Sequence, residues 1–310
     1  MQEGDKFNEL VVVDSWSHNE TKGEKPNPYT SMSVRTKGQE RLEVRRWGEA
    51  WDVKTGSVIR LIGKIEFYKG RPQIKAWEFS STEERPDVFL PRVPDDEHEV
   101  NKNIIAKCVK RVVNDSLREF VRFSLKSAGL DYMLATGAIG NHHSMVRGLI
   151  KHCAEMVTIA ETLSDIYLSV ELDKDLVFAT IPIHDWGKME EYAVKGASFV
   201  MTDAGRLLSH PGITPWRLAE LRAEYNREAE HPLEDGLFTE LLHTIGAHHG
   251  KVEYNAPSGP KTLPAMVVHL ADYSTCFADA FRTACSGGER GTWTDEWIIT
   301  PDGKKQLRRS

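Results

Sequence analysis

Cysteine is scarce and unpatterned in this sequence. The four present, Cys108, Cys153, Cys276 and Cys285, show no CxxC spacing and lie in apolar or helical surroundings. That argues against a disulfide framework or a zinc ribbon and for reduced thiols. Positive charge has no excess either: 40 Lys and Arg against 46 Asp and Glu leave a formal net charge of −6. No global field therefore draws in a polyanion, and any contact with nucleic acid must rest on local basic patches. No apolar run is long enough to span a bilayer. The opening MQEGDKFNEL lacks the basic-then-apolar pattern of a secretory signal. The expectation is a soluble, cytoplasmic protein with no membrane partner.

What the sequence has is histidine, unevenly placed. Ten of its 12 histidines fall between His142 and His269. A chain of 310 residues can hold two cores, and the N-terminal third reads as a separate module. Residues 10–13, 30–35, 41–47, 58–67 and 73–79 are short β-branched or aromatic runs between turn-rich segments. Lys69-Gly70-Arg71 reads as a hairpin turn. Five strands with no long helix between them suit a small OB-type barrel, with a sandwich fragment as the alternative. Alternation sends Met32, Val34, Leu42 and Val44 inward. It sends Ser33, Arg35, Arg45 and Trp47 to the face on which OB barrels bind oligonucleotides. Tyr68 and Arg71 at the hairpin add an aromatic among cations, a combination that stacks bases and tracks phosphates. A solvated surface with Trp47 in the core is the competing reading.

The domain boundaries expected are 1–80 for the barrel, 81–101 for a Pro-rich linker, 102–285 for a helical domain and 286–310 for a hairpin or tail around Asp302-Gly303. Helical periodicity runs over 103–127, 143–168, 176–187, 216–228, 237–248 and 263–281, with a further segment around 205–210. The first of these carries a basic ridge that includes Lys110 and Arg122. Pro182 is expected to kink the third just before His184.

Buried polar residues interrupt these apolar stripes: His152, His184-Asp185, His210, His248-His249 and Asp272. Each alone is ordinarily a hydrogen-bonded core residue. Together, on helices that must pack against one another, they call for a compensating cation. Imidazole and carboxylate suit Mn²⁺, Fe²⁺, Ni²⁺ or Zn²⁺ better than Ca²⁺.

With GLIKHC, IHDWGK and HLADY in that order, the chain resembles the HD-domain phosphohydrolase superfamily, whose pattern is H…HD…D. NHHSMVRGLIKHC, IHDWGKMEEY, GRLLSHP and AHHGKVEYNAPSGPKTLPAMVVHLADY, behind an OB-like barrel, resemble the YhaM-type 3′→5′ exoribonucleases. Trp186 departs from the pattern, standing where a small aliphatic residue is usual. The resemblance implies an all-β barrel followed by an all-α HD bundle. It implies a divalent metal site, two ions per chain with Mn²⁺ first, in which Asp185 bridges. His152, His184 and Asp272 would hold one ion, and His210 with His248 or His249 the other. Asp185 and Lys188 would serve catalysis, with Lys188 offsetting phosphoryl charge. His142, His143 and Arg147 would meet substrate phosphate, and His269 would orient a ligand.

The implied activity is metal-dependent 3′→5′ hydrolysis of single-stranded RNA or DNA to mononucleotides. Hydrolysis of free nucleotides or cyclic dinucleotides is the alternative, and a non-catalytic nucleic-acid-binding protein the third reading. The oligomeric state is left open, a homo-oligomer included.

Overall fold

Alternating apolar residues in the first eighty positions close a sheet upon itself. This computed structural model describes residues 2–22, 25–38, 40–48, 50–139, 143–166, 171–285, 289–294, 298–300 and 303–309. Strands β1 (Lys6–Glu20), β2 (Pro28–Thr36), β3 (Arg41–Trp47), β4 (Val58–Tyr68) and β5 (Arg71–Ser81) form a closed barrel in the order β1-β2-β3-β5-β4. Neighbours are antiparallel except β3 and β5, which run parallel. The OB-like barrel expected from the sequence is present. Met32, Val34, Leu42 and Val44 fill its core with Val11, Leu61, Ile65 and Ile74. Burying such a side chain contributes about 1.5–3 kcal/mol.

Alternation fails at Arg35. Expected on the outer face, it is only 9% exposed. A bulge in β1 between Val13 and Ser15 sets Asp14 to accept from Arg35 Nη2 at 2.7 Å. Arg35 Nη1 donates to the Ala197 carbonyl at 2.8 Å. Ala197 lies in Val194–Val200, which forms one compact unit with Met1–Pro91. A guanidinium is buried only where its charge and donors are met, so Arg35 pins this unit and is not part of an outer binding face.

The second unit comprises Arg92–Ala193 and Met201–Ser310. Its first helix, α1 (Asp95–Arg111), begins inside the segment expected to be linker. Pro94 sits at the N-cap, and Asp95, Asp96 and Glu97 in the first turn complement the helix dipole. The single helix expected over 103–127 is broken, because Asn114 caps a new helix, α2 (Asp115–Leu134), by accepting from the Leu117 amide. Then come α3 (Gly148–Ile166) and α4 (Lys174–Thr180). His143 and Arg147, expected in the α3 helix, lie before it with φ of 55° and 69°.

The helix expected over 176–187 stops at Thr180, and residues 181–187 form successive turns. Pro182 supplies the reason, since it has no amide to continue the ladder. After these turns stand α5 (Lys188–Glu191) and a hairpin of β6 (Tyr192–Lys195) and β7 (Ser198–Met201). The expected segments 205–210 and 216–228 form one element, α6 (Asp203–Tyr225), broken at Ser209. Then follow α7 (Asp235–Gly246) and α8 (Leu263–Cys285). β8 (Ile298–Thr300) pairs antiparallel with β9 (Gly303–Lys305) in the stretch expected to be a hairpin or tail, and Asp302 lies outside the described residues. One apolar core joins α1 to α4 and α6 to α8. Among the described residues, no helix is long and apolar enough to cross a membrane.

Arg35→Ala should lower stability by about 2–3 kcal/mol, the order for losing hydrogen bonds from a buried charged group. Arg41 lies 3.7 Å from the same Asp14, but its side chain is mostly exposed. Arg41→Ala should therefore stay within about 0.5 kcal/mol. Urea unfolding of the two variants checks the contrast, and equal losses would remove Arg35 from its pinning role.

Candidate metal centre

Seven residues singled out by the sequence converge from five segments. α3 supplies His152 and α8 supplies Asp272, both from unbroken helix. The turns after α4 supply His184 and Asp185, α6 supplies His210, and the turn after α7 supplies His248 and His249. His152 Nε2 lies 3.1 Å from Asp272 Oδ1. The His184 ring centre is 5.4 Å from that of His152 and 5.0 Å from that of His248. His210 and His249 meet Nε2 to Nε2 at 3.3 Å.

Asp185 stands in the middle with its two oxygens turned to different neighbours. Oδ2 is 3.2 Å from His184 Nε2 and 3.8 Å from His152 Nε2. Oδ1 is 3.2 Å from His210 Nε2 and 3.6 Å from His248 Nε2. Lys188 Nζ pairs with Oδ2 at 2.6 Å.

Each imidazole is fixed by what its other nitrogen touches. His184 Nδ1 donates to the Ile181 carbonyl at 2.8 Å, and His248 Nδ1 to the Ile245 carbonyl at 2.5 Å. His249 Nδ1 donates to the Tyr254 carbonyl at 2.6 Å, and His210 Nδ1 to Glu191 Oε2 at 2.7 Å. The Thr275 hydroxyl donates to the Asp272 carbonyl, which leaves its oxygen to accept from His152 Nδ1 at 3.2 Å. Acceptors on every Nδ1 leave five Nε2 lone pairs for the centre, the tautomer that metal-binding imidazoles adopt. Among the described residues, the buried Nε2 atoms of His184 and His248 meet no hydrogen-bond partner in bonding geometry. The donor set thus fits a divalent cation.

Electrostatics agree for most of the set. Burial pushes His152 down to about 4, and burial with a neighbouring imidazole holds His248 and His249 below the usual histidine range. Burial would raise Asp185, but His184, Lys188 and His210 hold it well below the carboxylate range. Asp272 is likewise held down against burial, by His152 and His248. Neutral rings and charged carboxylates are the protonation states that metal binding requires. His184 differs: burial would lower it, but the Asp185 charge raises it.

Two backbone features hold the arrangement. The Gly187 amide donates to Thr214 Oγ1 at 2.9 Å, and a Cβ there would meet the His210 carbonyl at 2.9 Å. Gly187, at the N-cap of α5, therefore lets α6 approach. Gly250, at φ 75°, leaves room for the His269 ring, whose Nδ1 donates to the His248 carbonyl at 2.6 Å. His269 thus supports His248 through its backbone.

Of the residues expected at substrate phosphate, His142 lies outside the described residues. His143 is buried, its ring 5.3 Å from that of His152, with Nε2 at 2.8 Å from Glu155 Oε2. Arg147 donates to the Val93 carbonyl and to Asp95 Oδ1 at 2.6 Å, so it is tied to α1. The sequence reading missed Glu191, Thr275 and Cys276. Thr275 and Cys276 follow Asp272 by three and four residues, one helical turn on the same face. The Cys276 thiol donates to Asp272 Oδ1 at 3.7 Å, and burial, then the Asp272 charge, keep it protonated. Glu191 follows His184 by seven residues, but nothing local marks its partner, 19 positions away.

On the barrel, Trp47 and Tyr68 are exposed at 47% and 52%. The Trp47 ring lies 5.3 Å from Tyr29, directly opposite it on β2. The Arg45 guanidinium sits 5.2 Å from the Tyr29 ring and 5.5 Å from the Tyr68 ring. Arg71 pairs with Tyr68 across the hairpin. Tyr29, half-buried, was missed, although alternation along β2 puts it on the same face as Ser33.

The HD domain family matches residues 149–275, which span every one of the seven convergent residues. The 3′-5′ exoribonuclease YhaM of Shouchella clausii (strain KSM-K16) is 31% identical over 245 residues, covering 74% of this chain and 72% of the relative. The chain belongs to the YhaM family of HD-domain proteins. YhaM of Bacillus subtilis (strain 168) is 29% identical over 234 residues, covering 72% of this chain and 71% of that protein. YhaM of Listeria welshimeri is 28% identical over 253 residues, 79% and 77% of the two chains. A solved replication protein A heterotrimer bound to ssDNA aligns with 28% of this chain at a TM-score of 0.21, too low to establish a shared fold. An HD domain carries divalent metal, and the donor set fits one.

Glu191→Ala should weaken metal binding about 10–100-fold, the usual cost of losing a carboxylate that orients a ligand imidazole. Glu191→Gln keeps an acceptor for His210 Nδ1 and should lose much less. Calorimetric titration of Mn²⁺ into the metal-free variants decides this, and an alanine variant with undiminished affinity would refute the role.

Proposed function

We propose that this chain is a metal-dependent 3′→5′ exonuclease that hydrolyses single-stranded RNA to mononucleotides, with single-stranded DNA as the alternative strand. The observation that carries the reading is Asp185, with its two oxygens facing two groups of tautomer-fixed imidazoles. Asp185 would then be shared between two cations, with His152, His184 and Asp272 to hold one and His210, His248 and His249 to hold the other. Bound divalent cations activate water and neutralise phosphoryl charge, the role of two-metal sites; Mn²⁺ suits these ligands, as do Fe²⁺, Ni²⁺ and Zn²⁺.

The chain's own side chains supply the rest. Asp185 fixes the spacing of the two ligand groups and stays ionised. Lys188, held at Oδ2, puts a positive charge beside the position where phosphoryl oxygens gain charge. Glu191 and Thr275 keep ring nitrogens aimed inward. Water adds to phosphorus as the bond to the leaving sugar oxygen breaks, and that oxygen takes a proton. The Arg45, Trp47, Tyr68 and Arg71 face of the barrel, with Tyr29, holds the strand by stacking and by contact with phosphates. The names of the relatives support both RNA as substrate and the 3′→5′ direction.

Incubation with Mn²⁺ and a 5′-labelled single strand tests the reading. A ladder shortening from the 3′ end is expected, whereas turnover confined to nucleotides or cyclic dinucleotides would replace it with the alternative hydrolase. Asp185→Ala should abolish turnover and strip more metal than His210→Ala, which should lose mainly one ion. Lys188→Ala should cut turnover by about 10²-fold or more with metal content retained. Elemental analysis giving one ion per chain in fully active protein would exclude the shared carboxylate.

For the barrel, Trp47→Ala and Tyr29→Ala should each weaken strand binding by roughly 1–3 kcal/mol, the value of one stacked base. Wild-type affinity should fall steeply as salt rises. Fluorescence anisotropy with a labelled strand measures both, and unchanged affinity in the two variants would remove the barrel from substrate binding.

A further inference from the structure

We propose that Cys276 is a further ligand of the metal centre, on its His152–Asp272 side, and that its sulfur fits that side to a thiophilic cation such as Zn²⁺. This rests on the metal-dependent reading and adds to it a donor of a different kind, and with it a preference among cations.

Three donor atoms meet there, one each from His152, Asp272 and Cys276, all within 4.8 Å of one another. They share one contact atom. Asp272 Oδ1 lies 3.1 Å from His152 Nε2 and 3.7 Å from the Cys276 sulfur. A tetrahedral ion with sulfur at about 2.3 Å and nitrogen or oxygen at about 2.0–2.1 Å holds its ligand atoms roughly 3.3–3.6 Å apart. The two separations fall on either side of that span, so small side-chain shifts bring all three atoms onto one ion.

Helices α3 and α8 impose this meeting. Asp272, Thr275 and Cys276 stand at i, i+3 and i+4 on α8, one turn of one face. The Thr275 oxygen accepts from His152 Nδ1 and so turns the other ring nitrogen of this α3 residue toward Asp272. Carboxylate and thiol project beside that nitrogen. The other cysteines lack the setting. The Cys108 thiol donates to a backbone partner, the Phe178 carbonyl. Cys153 is packed in the apolar core, and Cys285 stands at the far end of α8. Among the described residues, the groups of close-set metal donors include Cys276 and no other cysteine.

With no cation beside it, this thiol is kept protonated by burial and by the Asp272 charge. A divalent cation reverses that balance: the metal–sulfur bond forms, the S–H bond breaks and the proton passes to solvent. Thiolate is a soft donor that selects Zn²⁺ over Mn²⁺, whereas carboxylate suits Mn²⁺ and imidazole suits Zn²⁺, Fe²⁺ and Ni²⁺. His210, His248 and His249 group nitrogen donors alone. The two sides of the centre therefore differ in the cation they favour.

X-ray absorption on the full chain loaded with Zn²⁺ or Co²⁺ tests the ligand without any variant. A sulfur shell at about 2.3 Å is expected, and the Co²⁺ form should show sulfur-to-cobalt charge transfer in the near ultraviolet. Cys276→Ser, with its fold checked by circular dichroism, should lose both signals, and Cys153→Ser and Cys285→Ser should keep them. In calorimetric titration Cys276→Ser should bind Zn²⁺ at least about tenfold more weakly, the smallest cost usual for disturbing a ligand's support. Its affinity for Mn²⁺ should fall less. A loaded wild type without a sulfur shell, a shell that survives in Cys276→Ser, or equal losses for Zn²⁺ and Mn²⁺ would overturn the ligand while leaving the exonuclease standing. Wild type that takes up no divalent cation would overturn the metal-dependent reading, and this ligand with it.

Discussion

A buried carboxylate costs several kcal/mol unless its charge is met, and Asp185 is buried with its partners gathered on both sides. Helices α3, α6 and α8 and the turns after α4 and α7 reach it from different directions. Each brings a side chain that is expensive to bury by itself. His152 and Asp272 meet each other across α3 and α8, and Lys188 meets Asp185 within its own turn. The charge requirement therefore dictates the packing. Any shift of one helix would leave an imidazole or a carboxylate without its complement, so the polar centre sets the register of the apolar core around it.

The interruptions in the helices serve that centre. A regular α-helix spends every carbonyl on its own ladder. Pro182 ends α4, and His184 Nδ1 then finds the Ile181 carbonyl three residues back. α7 ends at Gly246, and His248 uses the Ile245 carbonyl in the same way. The two rings are fixed by one local device at two chain ends, without help from a distant residue. His152 and His210 lie within helices and need side-chain partners, Thr275 and Glu191, from elsewhere. That contrast explains why some supporting residues adjoin the ligands in sequence and others do not.

It also explains what could be read from the sequence. His152, His184, His210 and Asp272 were legible because each breaks an apolar period, and burial makes such a break costly. Glu191 was not, because a glutamate in a polar stretch breaks nothing and its partner comes through tertiary packing. The barrel was legible from strand alternation, but Arg35 was misassigned because the bulge at Asp14 creates a buried acceptor that alternation cannot foresee. Helix extents suffered in the same way. The stop after Thr180 and the cap at Asn114 are single-residue events within a continuous apolar pattern. Periodicity reports which face is apolar and says little about where a ladder is cut.

Charge links the two functional surfaces. Asp185, Asp272 and Glu191 are all held in their ionised form, and Lys188 pairs directly with Asp185, whose charge also holds His184 toward its protonated form. These carboxylates outnumber the two cations fixed beside them, and the chain as a whole carries −6. A phosphodiester approaching such a centre is repelled until divalent charge reverses the local sign. A centre of that charge is by itself poorly suited to hold a polyanion. Capture requires surfaces where cations and flat rings stand together, as Arg45 does beside Tyr29 and Tyr68. Stacking is indifferent to net charge and to base identity. An acidic chain thus carries two kinds of polar cluster, cations beside flat rings, which suit a polyanion, and carboxylates beside imidazoles, which suit a divalent cation.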